Sequence, residues 1–353
     1  MQKILTVVIP AYNMEKYLQR CCESVLVKDR SLREQLEVIV VNDGSKDRTF
    51  EIAQHYADVA PETFVVVDKP NGNYGSCVNV GISMAKGIYF RVLDADDYFD
   101  VEVFEQYLHF LLYFSDDVRP DLVVSDYVHI TPHGQIVESH VYNFAINSVF
   151  SLSDVPMGVV MQQYALTYKV QLLRSIDYLQ SEGISYTDTE YSIEPLISVK
   201  NVVYFDKVLA YYQVGRDGQT MNATTYAKNF WMMVKICCNI ISHYASMMKC
   251  AAPEAVGYYE RRVKELVREC YYTGIFGHKN IAVSVDLSPL DSALASYAPR
   301  IWEWANELKF PFPFFSIRYV QAWRNGRKVR LFVARLIRSM SRRLLRKSNT
   351  LGG

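Results

Sequence analysis

Apolar and polar positions alternate in blocks along the first hundred residues. Four short apolar runs stand out: Leu5-Thr6-Val7-Val8-Ile9, Glu37-Val38-Ile39-Val40-Val41, Phe64-Val65-Val66-Val67 and Ile88-Tyr89-Phe90-Arg91-Val92-Leu93. Runs of this length, rich in β-branched residues and lacking a polar face, suit strands covered on both sides. Between them, residues 15–27, 47–56 and 76–85 space their apolar positions as helices do. The resulting βαβαβαβ order predicts an α/β fold: a Rossmann-like, mainly parallel sheet flanked by helices, with right-handed crossovers. Beyond it, 101–113 reads as a helix, 121–130 and 135–142 as a hairpin turning at His133-Gly134, and 202–212 as a strand. Helical patterns then dominate, over 226–248, 253–272 and 289–308. The expected division is an α/β domain over 1–222, a helical C-terminal region over 223–310, and a tail over 311–353 that opens on Pro311-Phe312-Pro313-Phe314-Phe315.

Ligands of parallel sheets sit beyond the carboxyl ends of the strands, so the loops there carry the chemistry. After the fourth strand, carboxylates arrive abruptly at Asp94, Asp96, Asp97 and Asp100. On an extended chain Asp94 and Asp96 face the same way. Such a pair suits a hard divalent cation that also holds a diphosphate; the plain alternative is an acidic turn that caps the next helix. Asp43, two residues past the second strand, can accept from a uracil-like base or a ribose hydroxyl, or serve as a turn residue while Ser45 caps the following helix. Tyr12 can stack on a base or pack on the sheet edge. The 71–76 loop places two glycines before a helix, where free N–H groups attract phosphate, or it is a simple turn. Lys69 and Arg91 flank these loops, as phosphate contacts or as solvated charges. His129, His133 and His140 cluster in the hairpin with no recognised metal spacing.

Taken together, TVVIPAYN, EVIVVNDGSKDRT, KPNGNYGSCVNVGISMAKG and YFRVLDADDYFD closely resemble the family 2 glycosyltransferases, which have the GT-A fold. The resemblance spans roughly residues 3–220 and is strongest over the first hundred. It implies a metal-dependent, inverting enzyme that moves a sugar from a nucleotide-sugar donor, UDP-linked by expectation, to a hydroxyl acceptor on a glycan or lipid. By the same resemblance Pro10, Ala11, Tyr12 and Asp43 hold the nucleotide base, and Asn79 matches a family asparagine beside the glycine loop that contains Gly75. Asp94-Ala95-Asp96 matches the DXD element: Asp96 ligates Mg²⁺ or Mn²⁺, and Asp94 meets the ribose or the metal shell. Asp188 matches the general base, although Thr187 stands where the family usually has Glu; alternatively Thr187 and Glu190 form a capping box. Arg216 resembles a clamp on the donor diphosphate. A nucleotidyltransferase and a catalytically silent nucleotide-sugar-binding protein are the competing readings.

Charge refines the picture. The chain has 38 basic and 38 acidic side chains, but the last acid is Glu307, and twelve Lys or Arg follow it, leaving 26 against 38 before it. In 329–347, apolar positions recur at helical spacing with arginines on another side, as in an interfacial helix on anionic lipid. The expected partner is therefore an anionic membrane surface and no nucleic acid, with the protein cytoplasmic and peripheral at the inner face of the membrane. Seven cysteines without a CxxC pair suggest buried thiols in a reducing compartment. No signal peptide is expected, because Met1-Gln2-Lys3 runs straight into a strand.

Overall fold

A computed structural model describes residues 3–215, 222–279, 281–310 and 317–326. Arg216 and the amphipathic pattern over 329–347 lie outside the described residues. The chain runs β1 (Lys3–Ala11), α1 (Leu18–Val25), α2 (Arg30–Gln35), β2 (Leu36–Asn42), α3 (Thr49–Val59), β3 (Phe64–Asp68), α4 (Asn73–Met84), β4 (Gly87–Val92), β5 (Tyr98–Phe99) and α5 (Val101–Tyr113). It continues with β6 (Leu122–Ile130), β7 (Ile136–His140), β8 (Leu166–Lys169), α6 (Val170–Ser175), α7 (Asp188–Tyr191) and β9 (Val202–Gln213). The helices α8 (Ala223–Met247), α9 (Pro253–Phe276), α10 (Ser288–Tyr297) and α11 (Pro299–Asn306) follow, then β10 (Lys309–Phe310), β11 (Ile317–Arg318) and α12 (Tyr319–Arg324).

Among the described residues β1 to β9 form one sheet in the order β3-β2-β1-β4-β8-β6-β9-β5, with β7 paired to β6. The expected parallel sheet is found in β3, β2, β1 and β4; the apolar runs of β1, β2 and β4 are nearly all buried, whereas in β3, at the sheet edge, Phe64 is buried and Val65, Val66 and Val67 are partly exposed. Past β4 the sheet becomes mixed: β8 runs antiparallel to both β4 and β6, β6 and β9 are parallel, and β5 pairs antiparallel with β9. The predicted hairpin is β6 and β7, with Gly134 at φ +78° in its turn.

Close approach explains how α4 is set on the sheet. A Cβ on Gly81 would stand 2.6 Å from Val8 Cγ2, so the helix can lie against β1 only with glycine there. The helix predicted over 289–308 is two helices. Pro299 has no N–H to give, and Ala298 before it leaves the helical region at φ −137°, ψ 58°.

The chain divides into two compact units: the chain to Gln219 with Ser246–Arg262, and Thr220–Ala245 with Val263 onward. In the second unit the described residues after Phe310 are not a free tail. β11 pairs with β10, and Tyr319 and Val320 of α12 are buried. Arg318 pairs with Glu307 at 2.8 Å, and Arg324 with Asp291 at 2.6 Å. All seven cysteines are unpaired, five of them buried and Cys250 exposed. No helix among the described residues is long and apolar enough to cross a membrane.

Candidate active site

The acidic run after β4 does not continue the strand. Asp97 N donates to Asp94 O at 2.9 Å and closes a turn over 94–97, so side-chain alternation does not orient Asp94 and Asp96. Their surroundings hold the turn instead. The Tyr74 hydroxyl, in the first turn of α4, lies 2.8 Å from Asp94 Oδ1 and 2.8 Å from Gln163 Oε1. Gln163 Nε2 donates to Asp94 Oδ2 at 3.2 Å, and Gln213 N donates to Asp97 Oδ1 at 2.8 Å. Arg20 of α1 donates to Asp96 O at 3.3 Å and to Gln213 Oε1 at 2.6 Å, with its guanidinium 4.3 Å from the Tyr98 ring centre. Asp96 and Asp97 are buried. Helix capping falls to Asp100, which accepts from Val103 N at 3.0 Å. Burial, then the charges of Asp97, Asp94 and Asp96, raise the Tyr212 hydroxyl above its ordinary range, against the pull of Tyr164.

Asp188 opens α7. Two residues earlier Tyr186 sits at φ +71°, a left-handed conformation that a bulky side chain keeps only when its surroundings over-determine it. No capping box forms. Thr187 makes no cap bond, and its buried hydroxyl has no partner. Glu190 instead accepts from Ser181 N at 2.7 Å and Ser181 Oγ at 2.6 Å. The 180–183 loop is in turn stitched to α4. Asn79 Nδ2 donates to Gln180 O and to Glu182 Oε1, each at 2.9 Å, and Asn79 Oδ1 accepts from Gln180 N at 2.8 Å. Gly183 N donates to Gly72 O at 2.8 Å. A Cβ on Gly75 would stand 2.1 Å from Ser181 O. Both Gly75 and Asn79, expected at the donor, thus pack against the loop that leads to Asp188.

Burial lifts the half-buried Asp188 carboxyl to about 6, against backbone N–H bonds that pull it down. The Tyr74 hydroxyl is raised well above its ordinary value by burial, then by Asp94 and Asp188. Tyr164 is raised by burial, then by a set that again includes Asp94 and Asp188. Two carboxylates about a hundred residues apart in sequence therefore act on the same two tyrosines.

The remaining sites expected from sequence lie along the strand ends. Pro10 and Ala11 close β1 beside Val41 and Asn42, and Tyr12 beyond them is 47% exposed. Asp43 is buried, ion-paired with Lys69, and accepts from Gly72 N at 2.9 Å. Lys69 also donates to Ser76 Oγ at 2.8 Å, so it is neither solvated nor clear of protein partners. Ser45 Oγ accepts from Asn13 N at 3.0 Å, while Asp47 Oδ1 accepts from Thr49 N at 3.0 Å in the capping place expected for Ser45. Arg91 is wholly buried. It donates to Thr167 Oγ1 at 3.0 Å, to Ser125 Oγ at 3.2 Å and to Tyr164 O. It braces the core and is out of reach of a phosphate. Tyr74, Gln163, Arg20 and Gln213 carry no local sequence mark; their part in the site comes from distant contacts.

Asp94 and Asp96 offer the hard oxygen donors that Mg²⁺ and Mn²⁺ take. Among the described residues no three acidic side chains converge into a cage of their own. That fits a cation whose shell is completed by substrate phosphates and water.

Residues 6–142 match the family described as Glycosyl transferase family 2. That stretch is a family 2 glycosyltransferase domain. The transferase is 29% identical over 229 residues to the Uncharacterized glycosyltransferase MG025 homolog of Mycoplasma pneumoniae, spanning 64% of this chain and 72% of that one. It is 26% identical over 228 residues to the Minor teichoic acid biosynthesis protein GgaB of Bacillus subtilis, spanning 64% of this chain and 25% of GgaB. Its fold is shared with S. aureus TarS 1–349, solved with UDP-GlcNAc, at a TM-score of 0.61 and 18% identity, covering 84% of this chain and 82% of that one. The fold is GT-A, and the helical C-terminal region follows it.

Proposed function

We propose that this glycosyltransferase moves a sugar from a UDP-linked donor to a hydroxyl on a surface polysaccharide or glycolipid, inverting the anomeric carbon. The observation that carries the reading is the pairing of a carboxyl raised to about 6, Asp188, with the acidic turn at 94–97 across the same two tyrosines. A base that titrates near neutrality can take the acceptor proton and still be ionised at rest. Asp188 Oδ removes the proton of the acceptor hydroxyl as that oxygen bonds to the anomeric carbon. The bond from that carbon to the diphosphate breaks, and the nucleoside diphosphate leaves. Asp96, with Asp94, would hold Mg²⁺ or Mn²⁺, which when bound neutralises the leaving diphosphate. Pro10, Ala11, Tyr12 and Asp43 line the nucleotide side, and Arg216 clamps the phosphates. TarS was solved with UDP-GlcNAc, and GgaB is named for teichoic acid biosynthesis; both support a UDP-sugar donor and a surface-polymer acceptor. The run of basic C-terminal residues without an acid supports a reaction at the cytoplasmic face of a membrane.

The test is UDP-sugar hydrolysis and transfer with Mn²⁺ or Mg²⁺, comparing the wild type with Asp96→Ala. The variant is expected to keep its circular dichroism spectrum and to lose both activities. Full activity in the variant would reject the role of Asp96. Thr187, buried in place of the family's Glu, favours one second reading, a silent binding protein. UDP-dependent thermal stabilisation without turnover across acceptors would support it.

A further inference from the structure

The β6–β7 hairpin brings together three side chains that lie eleven residues apart or closer, with a regularity that comes from strand register. His129 is paired directly opposite Glu138, and Tyr127 directly opposite His140. Residues two apart on a strand share a face, so Tyr127, His129, Glu138 and His140 project from one side of the ribbon. His129 Nδ1 lies 3.4 Å and His140 Nε2 lies 3.6 Å from Glu138 Oε2, and the three ligand atoms are all within 4.8 Å of one another.

These separations are longer than a good hydrogen bond, for which about 2.7–3.2 Å is usual. The two nitrogen–oxygen separations are close to the edge of a metal tetrahedron: metal–nitrogen bonds of about 2.0–2.1 Å place neighbouring ligand atoms roughly 3.3 Å apart. The Nε2 atom of His140 is buried with no hydrogen-bond partner, although it faces the carboxylate. Buried polar atoms are seldom left so. The rings are also held before anything binds. His140 stacks on Tyr127 at 4.4 Å and 6°, and His129 packs edge-on against Tyr212 at 5.0 Å and 63°.

From this geometry we propose a second metal site, formed by His129 Nδ1, Glu138 and His140 Nε2, that takes Zn²⁺ with water in the fourth position. Two imidazoles and one carboxylate favour a borderline ion such as Zn²⁺ over Mg²⁺ or Mn²⁺. The site is therefore chemically distinct from the oxygen-only shell at Asp94 and Asp96. Its ion pins β7, which among the described residues pairs with β6 alone and leaves Ile136 and Val137 exposed. Tyr212, against which His129 packs, also packs on Tyr164, with ring centres 4.3 Å apart and the planes tilted by 31°. The clip thus stiffens one wall of the acidic site through a single layer of tyrosines.

The experiment strips the full-length chain of metal with a chelator, then titrates Zn²⁺ against a chromophoric competitor. It also records the visible spectrum with Co²⁺. His140→Gln and Glu138→Gln are compared with the wild type, their circular dichroism serving as the folding control. One equivalent of Zn²⁺ is expected to bind the wild type and raise its Tm, with the d–d bands of four-coordinate Co²⁺ and no displacement by Mn²⁺. Each variant is expected to bind at least about tenfold more weakly and to lose those bands. Absence of Zn²⁺ uptake by the wild type overturns the proposal. So does equal affinity in all three proteins, which would put the ion on a cysteine or on the Asp94–Asp97 turn.

Discussion

In an unfolded chain Asp188 ionises near the ordinary carboxylate value of 3.8, whereas in the fold burial lifts it to about 6. The folded state therefore holds this proton more tightly than the unfolded one. Its contribution to stability falls as pH rises from about 4 to about 6 and is level above that. The carboxylate form needed of a base grows over the same interval, so activity rises through about pH 6 as stability declines. Asp188→Asn keeps the shape and removes the charge. Near neutral pH it should be more stable than the wild type by up to about 3 kcal/mol, less whatever its partial exposure screens. Transfer should fall by about 10²- to 10⁴-fold, the usual worth of a positioned base. Urea denaturation of both proteins below about pH 5 and near neutrality, with kcat measured alongside, reads both effects. If the variant still turns over, or gains no stability, Asp188 is not a buried base.

The contacts of α4 change what its polar residues are for. From sequence, Gly75 is expected at the donor as part of the glycine loop, and Asn79 by its match to a family asparagine in the helix after it. In the fold they face the 180–183 loop, whose residues are about a hundred positions away in the chain. Asn79→Ala should lower kcat and leave the donor KM near its wild-type value, because Asp188 loses its brace while the nucleotide loops stay in place. A rise in donor KM with kcat intact would return Asn79 to the donor. Gly75→Ala must push Ser181 away and should cost on the order of 1–3 kcal/mol, as overpacking does. Strands β1, β2 and β4 were legible because a strand buried on both faces is apolar throughout, and β3 because its β-branched run persists at the partly covered sheet edge. Arg91 was misread for the same reason: nothing local distinguishes a solvated arginine from one whose partners, Ser125, Tyr164 and Thr167, arrive from later in the chain. The 94–97 turn was legible in composition but not in conformation, since its shape is set by Tyr74, Gln163 and Gln213.

Charge along the whole chain divides it unequally, and the fold sharpens where the division falls. Among the described basic residues beyond Glu307, two are engaged within the second unit, Arg318 with Glu307 and Arg324 with Asp291. Arg324 also donates to Trp302 O at 2.9 Å and Asn306 Oδ1 at 2.7 Å. Trp323 packs against Tyr271 at 5.8 Å and so belongs to that unit's interior contacts. A cut near 310 would therefore remove structure as well as charge, and the informative cut follows Gly326. The nine Lys or Arg from Arg327 onward include no acid among them. Each contributes at most about 1 kcal/mol beside an anionic surface, and salt screens it. The full chain should sediment with vesicles rich in phosphatidylglycerol, release as salt is raised, and ignore phosphatidylcholine vesicles. The chain ending at Gly326 should stay in the supernatant while its hydrolysis of UDP-sugar in solution is unchanged, because the residues from 327 onward supply none of the groups assigned to the reaction. Undiminished sedimentation after the cut, or binding indifferent to salt, would move the membrane contact elsewhere on the protein or remove it.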